Sequence, residues 1–202
     1  MSPRAYRARG RPRRSEETRE RIKTAVRDLL AEGSFHDSTV EEVADRAGVA
    51  RATLYQHFRS RLELVDAICE TFAENPALRR LRETVELPDA DEALAGTIAA
   101  SIRFWSSEDR ILHQLYGVAA IDPAAQDLVD RQRADRRSEL ERLARNLSRA
   151  GRLREGTNER RALSLLLVLT SYETFHELRQ TGLADRQLTT TLQHAARDLL
   201  LR

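Results

Sequence analysis

Three helix-start signals between Ser15 and Ser60 constrain this chain more than any other feature of its sequence. Ser15 precedes an acidic first turn, Glu16 and Glu17, and Ile22, Ala25, Val26, Leu29 and Leu30 then recur at the spacing of one helical face. Thr39-Val-Glu-Glu42 is a capping box, in which the Thr39 hydroxyl and the Glu42 carboxylate each accept a backbone N–H that the helix leaves unpaired. Val40, Val43, Ala44 and Ala47 line one face after it, and Gly48 stops the helix after two turns. A short helix over residues 51–58 leads to a second box, Ser60-Arg-Leu-Glu63, which opens a helix with Leu64, Val65, Ile68, Cys69 and Phe72 inward. Helices this short are unstable alone in water, so the spacing predicts a compact bundle.

Beyond Asn75-Pro76 the punctuation thins and the predicted helices lengthen: residues 77–86, 89–107, 108–120, 123–150, 158–181 and 185–201. The boundaries near Pro88 and Ser107 leave merged helices open. No segment alternates cleanly as a strand and no internal repeat is visible, so the expected class is all-α, with about nine helices. With 41% hydrophobic residues in 202, the chain has enough apolar content for a core. Its longest unbroken apolar run, residues 165–169, is far short of the ~20 residues that span a bilayer. A single cysteine, Cys69, excludes an internal disulfide framework and a multi-cysteine zinc site. The expectation is a soluble cytoplasmic chain with no membrane partner.

Charge is unevenly distributed. The formal net charge is only +2, yet residues 1–61 hold 14 basic and 9 acidic residues, while residues 62–202 hold 20 and 23. Residues 1–14 carry six arginines and no acid, beside Pro3, Pro12 and Gly10, which predicts a disordered basic arm; a merely solvated tail is the alternative. All but Lys23 of the 34 basic residues are arginine, from genomic base composition or from a use for bidentate contacts.

A short helix, a glycine-bearing turn and a second short helix form the layout of a helix-turn-helix, although ordinary bundles also contain such turns. The second helix would present Arg51, Thr53, Gln56 and His57. Arginine can donate two hydrogen bonds to guanine, glutamine can bond adenine, and the threonine methyl can meet thymine. The run from Thr39 to Leu64, with Leu54-Tyr55-x-His57-Phe58 and then Ser60-Arg61-x-x-Leu64, resembles the N-terminal DNA-binding domain of TetR-family transcriptional regulators. The resemblance is specific over residues 15–72 and architectural beyond them. It implies a helix-turn-helix head over residues 15–60 after the arm of residues 1–14, and an effector-binding and dimerisation bundle over residues 61–202. It further implies a homodimer closed mainly by the last two helices, a near-palindromic double-stranded operator, a small organic effector that releases a repressor, and no cofactor.

Matched position by position, Thr39, Tyr55 and Arg61 would touch phosphate, and Arg51, Thr53, Gln56 and His57 would face the groove. Arg9, Arg11, Arg13 and Arg14 would follow phosphates or enter the minor groove. Tyr55 also suits a half-buried core position, while Ala44, Val49, Leu54 and Phe58 suit the core. Three departures stand out. Ala50 replaces the usual capping Ser or Thr, at about 1 kcal/mol of local stability; Ala52 replaces a frequent Gly; and Arg61 replaces the usual Lys.

Residues 162–175 are apolar nearly all round, and Leu188, Leu192, Ala195, Ala196, Leu199 and Leu200 form another stripe, so a subunit interface is expected there. Phe104, Trp105, His113, Tyr116, Tyr172, Phe175 and His176 are the candidate effector contacts, although aromatics on helices also serve as plain core. The histidines lack the i, i+4 pairing of a preformed metal site, so no metal is expected. Two other classes stay open: a helical protein that coats DNA without regulating it, and a small enzyme using His113 or His176. For the enzyme the sequence offers no nucleophile motif or phosphate-binding glycine loop.

Overall fold

The computed structural model describes the backbone of residues 3–202 and the side chains of residues 13–202. Among these it contains ten α-helices and no strand beyond an isolated bridge between Leu153 and Leu201. They are α1 (Pro3–Glu32), α2 (Val40–Arg46), α3 (Arg51–His57), α4 (Arg61–Thr71), α5 (Pro76–Val85), α6 (Ala90–Ala119), α7 (Pro123–Arg149), α8 (Glu159–Leu169), α9 (Tyr172–Gln180) and α10 (Asp185–Leu200). None is long and apolar enough to cross a membrane.

Three boundaries differ from the sequence expectation. Helix α1 starts at Pro3, so Ser15 lies within it rather than capping it, and the backbone read as a free arm continues the helix. The side chain of Arg11 lies outside the described residues. The two helices expected on either side of Ser107 are one, α6, because nothing there breaks a helix: the Ser107 hydroxyl bonds back to the Phe104 carbonyl at 2.9 Å. Conversely, the helix expected over residues 158–181 is two. Thr170 ends α8, and Ser171 caps α9 by accepting the Thr174 N–H at 3.0 Å.

The chain divides into two compact units. The first comprises residues 1–71 and 110–129. In it α1 packs against α2 and α4, and α2 against α3, over Ile22, Val26, Leu30, Phe35, Val43, Leu54, Phe58, Leu64 and Ile68, all nearly free of solvent. Gly48 makes the turn between α2 and α3. At φ +63° it lets its own N–H reach the Asp45 carbonyl (3.0 Å) and the Val49 N–H reach the Ala44 carbonyl (2.9 Å), the double bond of a Schellman stop.

The second unit comprises residues 72–109 and 130–202. Helix α10 packs on α8 and α9, and Leu140, Ala162, Leu166, Phe175, Leu188 and Ala196 are fully enclosed. Close approach of α5 and α6 depends on Gly96, where a Cβ would lie 2.5 Å from Thr84 Cγ2. The C-terminus is clamped by backbone bonds from Arg154 N–H to the Leu200 carbonyl (2.8 Å) and from Arg202 N–H to the Arg152 carbonyl (3.1 Å).

Candidate nucleic-acid interface

Helix α3 turns Leu54 and Phe58 into the core and leaves Arg51, Ala52, Tyr55 and Gln56 outward, with Thr53 and His57 half-buried at its flanks. Tyr55 is 41% exposed, which removes the core reading for this side chain. The helix has no side-chain N-cap, since Ala50 supplies none. Its start instead rests on backbone bonds from the Thr53 and Leu54 N–H groups to the Ala50 carbonyl. Thr39 caps α2 as expected. Its N–H donates to Glu42 Oε2 at 2.6 Å and its hydroxyl accepts the Glu42 N–H at 3.2 Å, so the exposed hydroxyl is already fixed at the mouth of α2.

Arginines brace this head around its apolar core. From α1, Arg21 donates to the Gly48 carbonyl and Arg19 to the His57 carbonyl, both at 3.3 Å, and the Arg19 guanidinium lies 4.4 Å over the Phe58 ring. Arg46 pairs with Glu32 at 2.7 Å. Arg61, expected to touch phosphate, is turned inward: it donates to the Ser38 carbonyl and stacks 4.0 Å over Phe35. Burial works against its charge, partly offset by Asp37. In this arrangement Arg61 ties the loop before α2 to the start of α4.

The arginine at the opposite end of α3 is arranged differently. Arg51 is 61% exposed at its side chain, is paired with Glu41 of α2 and lies 5.5 Å over the Tyr55 ring. The Tyr55 hydroxyl and then the Glu41 carboxylate favour its charged form. Arg13 and Arg14 are exposed on α1, with Arg13 bonded to Glu17 at 3.1 Å. The sequence reading missed Glu41, Arg19 and Arg21. Their contacts cross turns between helices, where no fixed spacing announces a pair.

The residues proposed as effector contacts fall in both units. His113 and Tyr116 belong to the first unit, exposed and half-buried respectively. Phe104, Trp105, Tyr172, Phe175 and His176 belong to the second and pack on one another there: Phe104 to Trp105 at 4.9 Å, Trp105 to Tyr172 at 5.7 Å, Tyr172 to Phe175 at 6.1 Å and Tyr172 to His176 at 5.7 Å. The break between α8 and α9 serves this cluster, because the Thr170 carbonyl accepts Trp105 Nε1 at 2.9 Å and Arg136 Nη1 at 2.8 Å. The cluster's polar edge is Asp109, which accepts the Tyr172 hydroxyl at 2.8 Å and has His176 Nδ1 at 3.9 Å.

Comparison with known proteins agrees with this geometry. The family model described as bacterial regulatory proteins, tetR family, matches residues 22–68, which hold the C-terminal third of α1, all of α2 and α3 and most of α4. Over 60 residues the chain is 37% identical to the HTH-type transcriptional activator FasR of Mycolicibacterium smegmatis, a match that takes in 30% of this chain and 27% of FasR. The chain thus spans about a quarter of that relative's length. Solved structures share the fold over nearly the whole chain, two of them as follows. One is a Saccharomonospora viridis protein described as a transcriptional regulator and crystallised with choline (TM-score 0.74, 17% identity, covering 93% of this chain and 99% of that one). The other is NalD, the secondary repressor of the MexAB-OprM multidrug efflux pump of Pseudomonas aeruginosa (TM-score 0.72, 21% identity, 94% and 98%). Residues 22–68 thus match the tetR family model of bacterial regulatory proteins, and the fold of the chain is that of these two solved structures.

Proposed function

We propose that the chain is a sequence-specific, DNA-binding transcriptional regulator acting in the cytoplasm as a homodimer, and that it carries no catalytic function. The observation that carries this reading is the outer face of α3, where Arg51, Tyr55 and Gln56 stand in solvent on a short helix fixed from behind by Leu54, Phe58 and the arginines of α1. A helix so presented fits a major groove. Arg51, Thr53, Gln56 and His57 are assigned to bases, Tyr55 and Thr39 to phosphates, and Arg11, Arg13 and Arg14 to the flanking backbone. Arg61 is assigned to bracing rather than to DNA.

The homodimer is supported by apolar surface that one protomer leaves uncovered on α8 and α10, above all Val168 (61% exposed) and Leu199 (44%). A twofold would set two α3 helices about 34 Å apart on a near-palindromic operator. Repression released by a small organic effector follows NalD, a repressor, and the Saccharomonospora viridis protein, which binds choline; FasR, an activator, keeps the opposite sign of control as the second reading. Effector binding is assigned to the aromatic cluster around Trp105 and Tyr172.

Two substitutions test the DNA assignment. Tyr55→Phe should weaken binding to all duplexes alike, whereas Arg51→Ala should relax preference at one base pair. Equal losses on a selected and a scrambled duplex for Arg51→Ala would remove its role as a base reader.

A further inference from the structure

Arg51 does not wait for DNA as an isolated cation. Its Nη1 is paired with Glu41 Oε1 across the turn, although both side chains are about half in solvent, 61% and 49% exposed. Glu41 is not the acid of the capping box, because that role belongs to Glu42. Glu41 stands in the first turn of α2, where a negative charge suits the helix dipole, yet it sets that charge on the face that would approach a polyanion.

A guanidinium has two bidentate edges. Glu41 takes Nη1 and the Tyr55 hydroxyl also bonds the guanidinium, which leaves the rest of its donor fork to meet guanine O6 and N7. Tyr55 beneath the guanidinium plane limits its swing. A complex on the right base keeps the Glu41 pair and uses it to aim the fork. A complex held by phosphates alone gains no such bond and sets the Glu41 carboxylate against the DNA charge, which like-charge repulsion disfavours.

We propose that Glu41 is a specificity-determining residue: it positions Arg51 for a base edge and penalises binding to DNA that lacks that base. The inference rests on the reading of α3 as the DNA-reading helix. It concerns the ratio of two affinities, which that reading leaves open.

The experiment uses the full chain and two duplexes of equal length, one enriched from a random library by the wild-type protein and one scrambled, at one fixed salt concentration. Glu41→Gln, which keeps size and removes charge, should bind the scrambled duplex about two- to fivefold more tightly, the range of an exposed charge contact, while binding the enriched duplex equally or less tightly. The ratio of affinities should fall by the same factor or more. Glu41→Ala should behave likewise, and in an Arg51→Ala background Glu41→Gln should no longer change the ratio. A Glu41→Gln protein of unchanged thermal midpoint whose ratio stays within twofold of wild type overturns the proposal. Parallel loss on both duplexes overturns it as well. If the wild-type protein enriches no duplex at all, the DNA reading itself fails, an outcome distinct from an enriched duplex whose preference ignores Glu41.

Discussion

Arg61 separates two accounts of one arginine. By family resemblance it is a phosphate contact; by geometry its guanidinium donates to the Ser38 carbonyl and lies 4.0 Å over Phe35. A hydrogen bond from a charged donor contributes about 1.5–3 kcal/mol, and a guanidinium over an aromatic face about 0.5–1 kcal/mol at exposed sites. Arg61 is only partly buried, so solvent screening favours the lower ends, and Arg61→Ala should cost about 2 kcal/mol. For a chain of this length that is about 4–8 °C in thermal midpoint. Arg61→Lys keeps the charge but loses the planar stack, and should cost about 1 kcal/mol. Urea unfolding followed by circular dichroism reads both variants, and a double-mutant cycle with Phe35→Leu should return a coupling of about 0.5–1 kcal/mol. The reasoning is refuted if Arg61→Ala leaves stability within about 0.5 kcal/mol of wild type, a range typical of uninvolved surface sites, while its salt slope for scrambled DNA falls by about one.

Other expectations follow from single contacts. Gly48→Ala forces a side chain into positive φ and should destabilise the protein by about 1–2 kcal/mol in the same unfolding assay. Gly96→Ala should cost about 1–3 kcal/mol through the Thr84 clash, and Thr84→Ser, which removes the colliding methyl, should recover part of that loss in the double variant. Val168→Glu should convert the proposed dimer to monomer in light scattering while leaving helical circular dichroism intact; an unchanged mass would move the interface elsewhere.

The reading head was legible because its signals are local. The Thr39 box, Gly48 and the inward Leu54 and Phe58 all act within a turn or two of themselves, and each stands where its spacing predicts. The second box is only half as drawn: Ser60 accepts the Glu63 N–H at 3.1 Å, but Glu63 reaches the Arg59 N–H at 2.6 Å rather than that of Ser60. The break at Thr170 was not legible, because an apolar run signals burial and not continuity. What ends α8 there includes two donors, Trp105 and Arg136, far away in sequence. The inward contacts of Arg61 were not legible for a related reason. A motif position specifies a residue type, and only packing decides whether its guanidinium faces DNA or Phe35.

Enrichment of duplexes from a random library by the full chain, followed by footprinting and a salt titration, tests the central claim most directly. The expected result is a near-palindromic sequence with half-sites about one helical turn apart, and log affinity falling linearly with log salt concentration. A library that yields no shared sequence, with binding indifferent to salt, would contradict it.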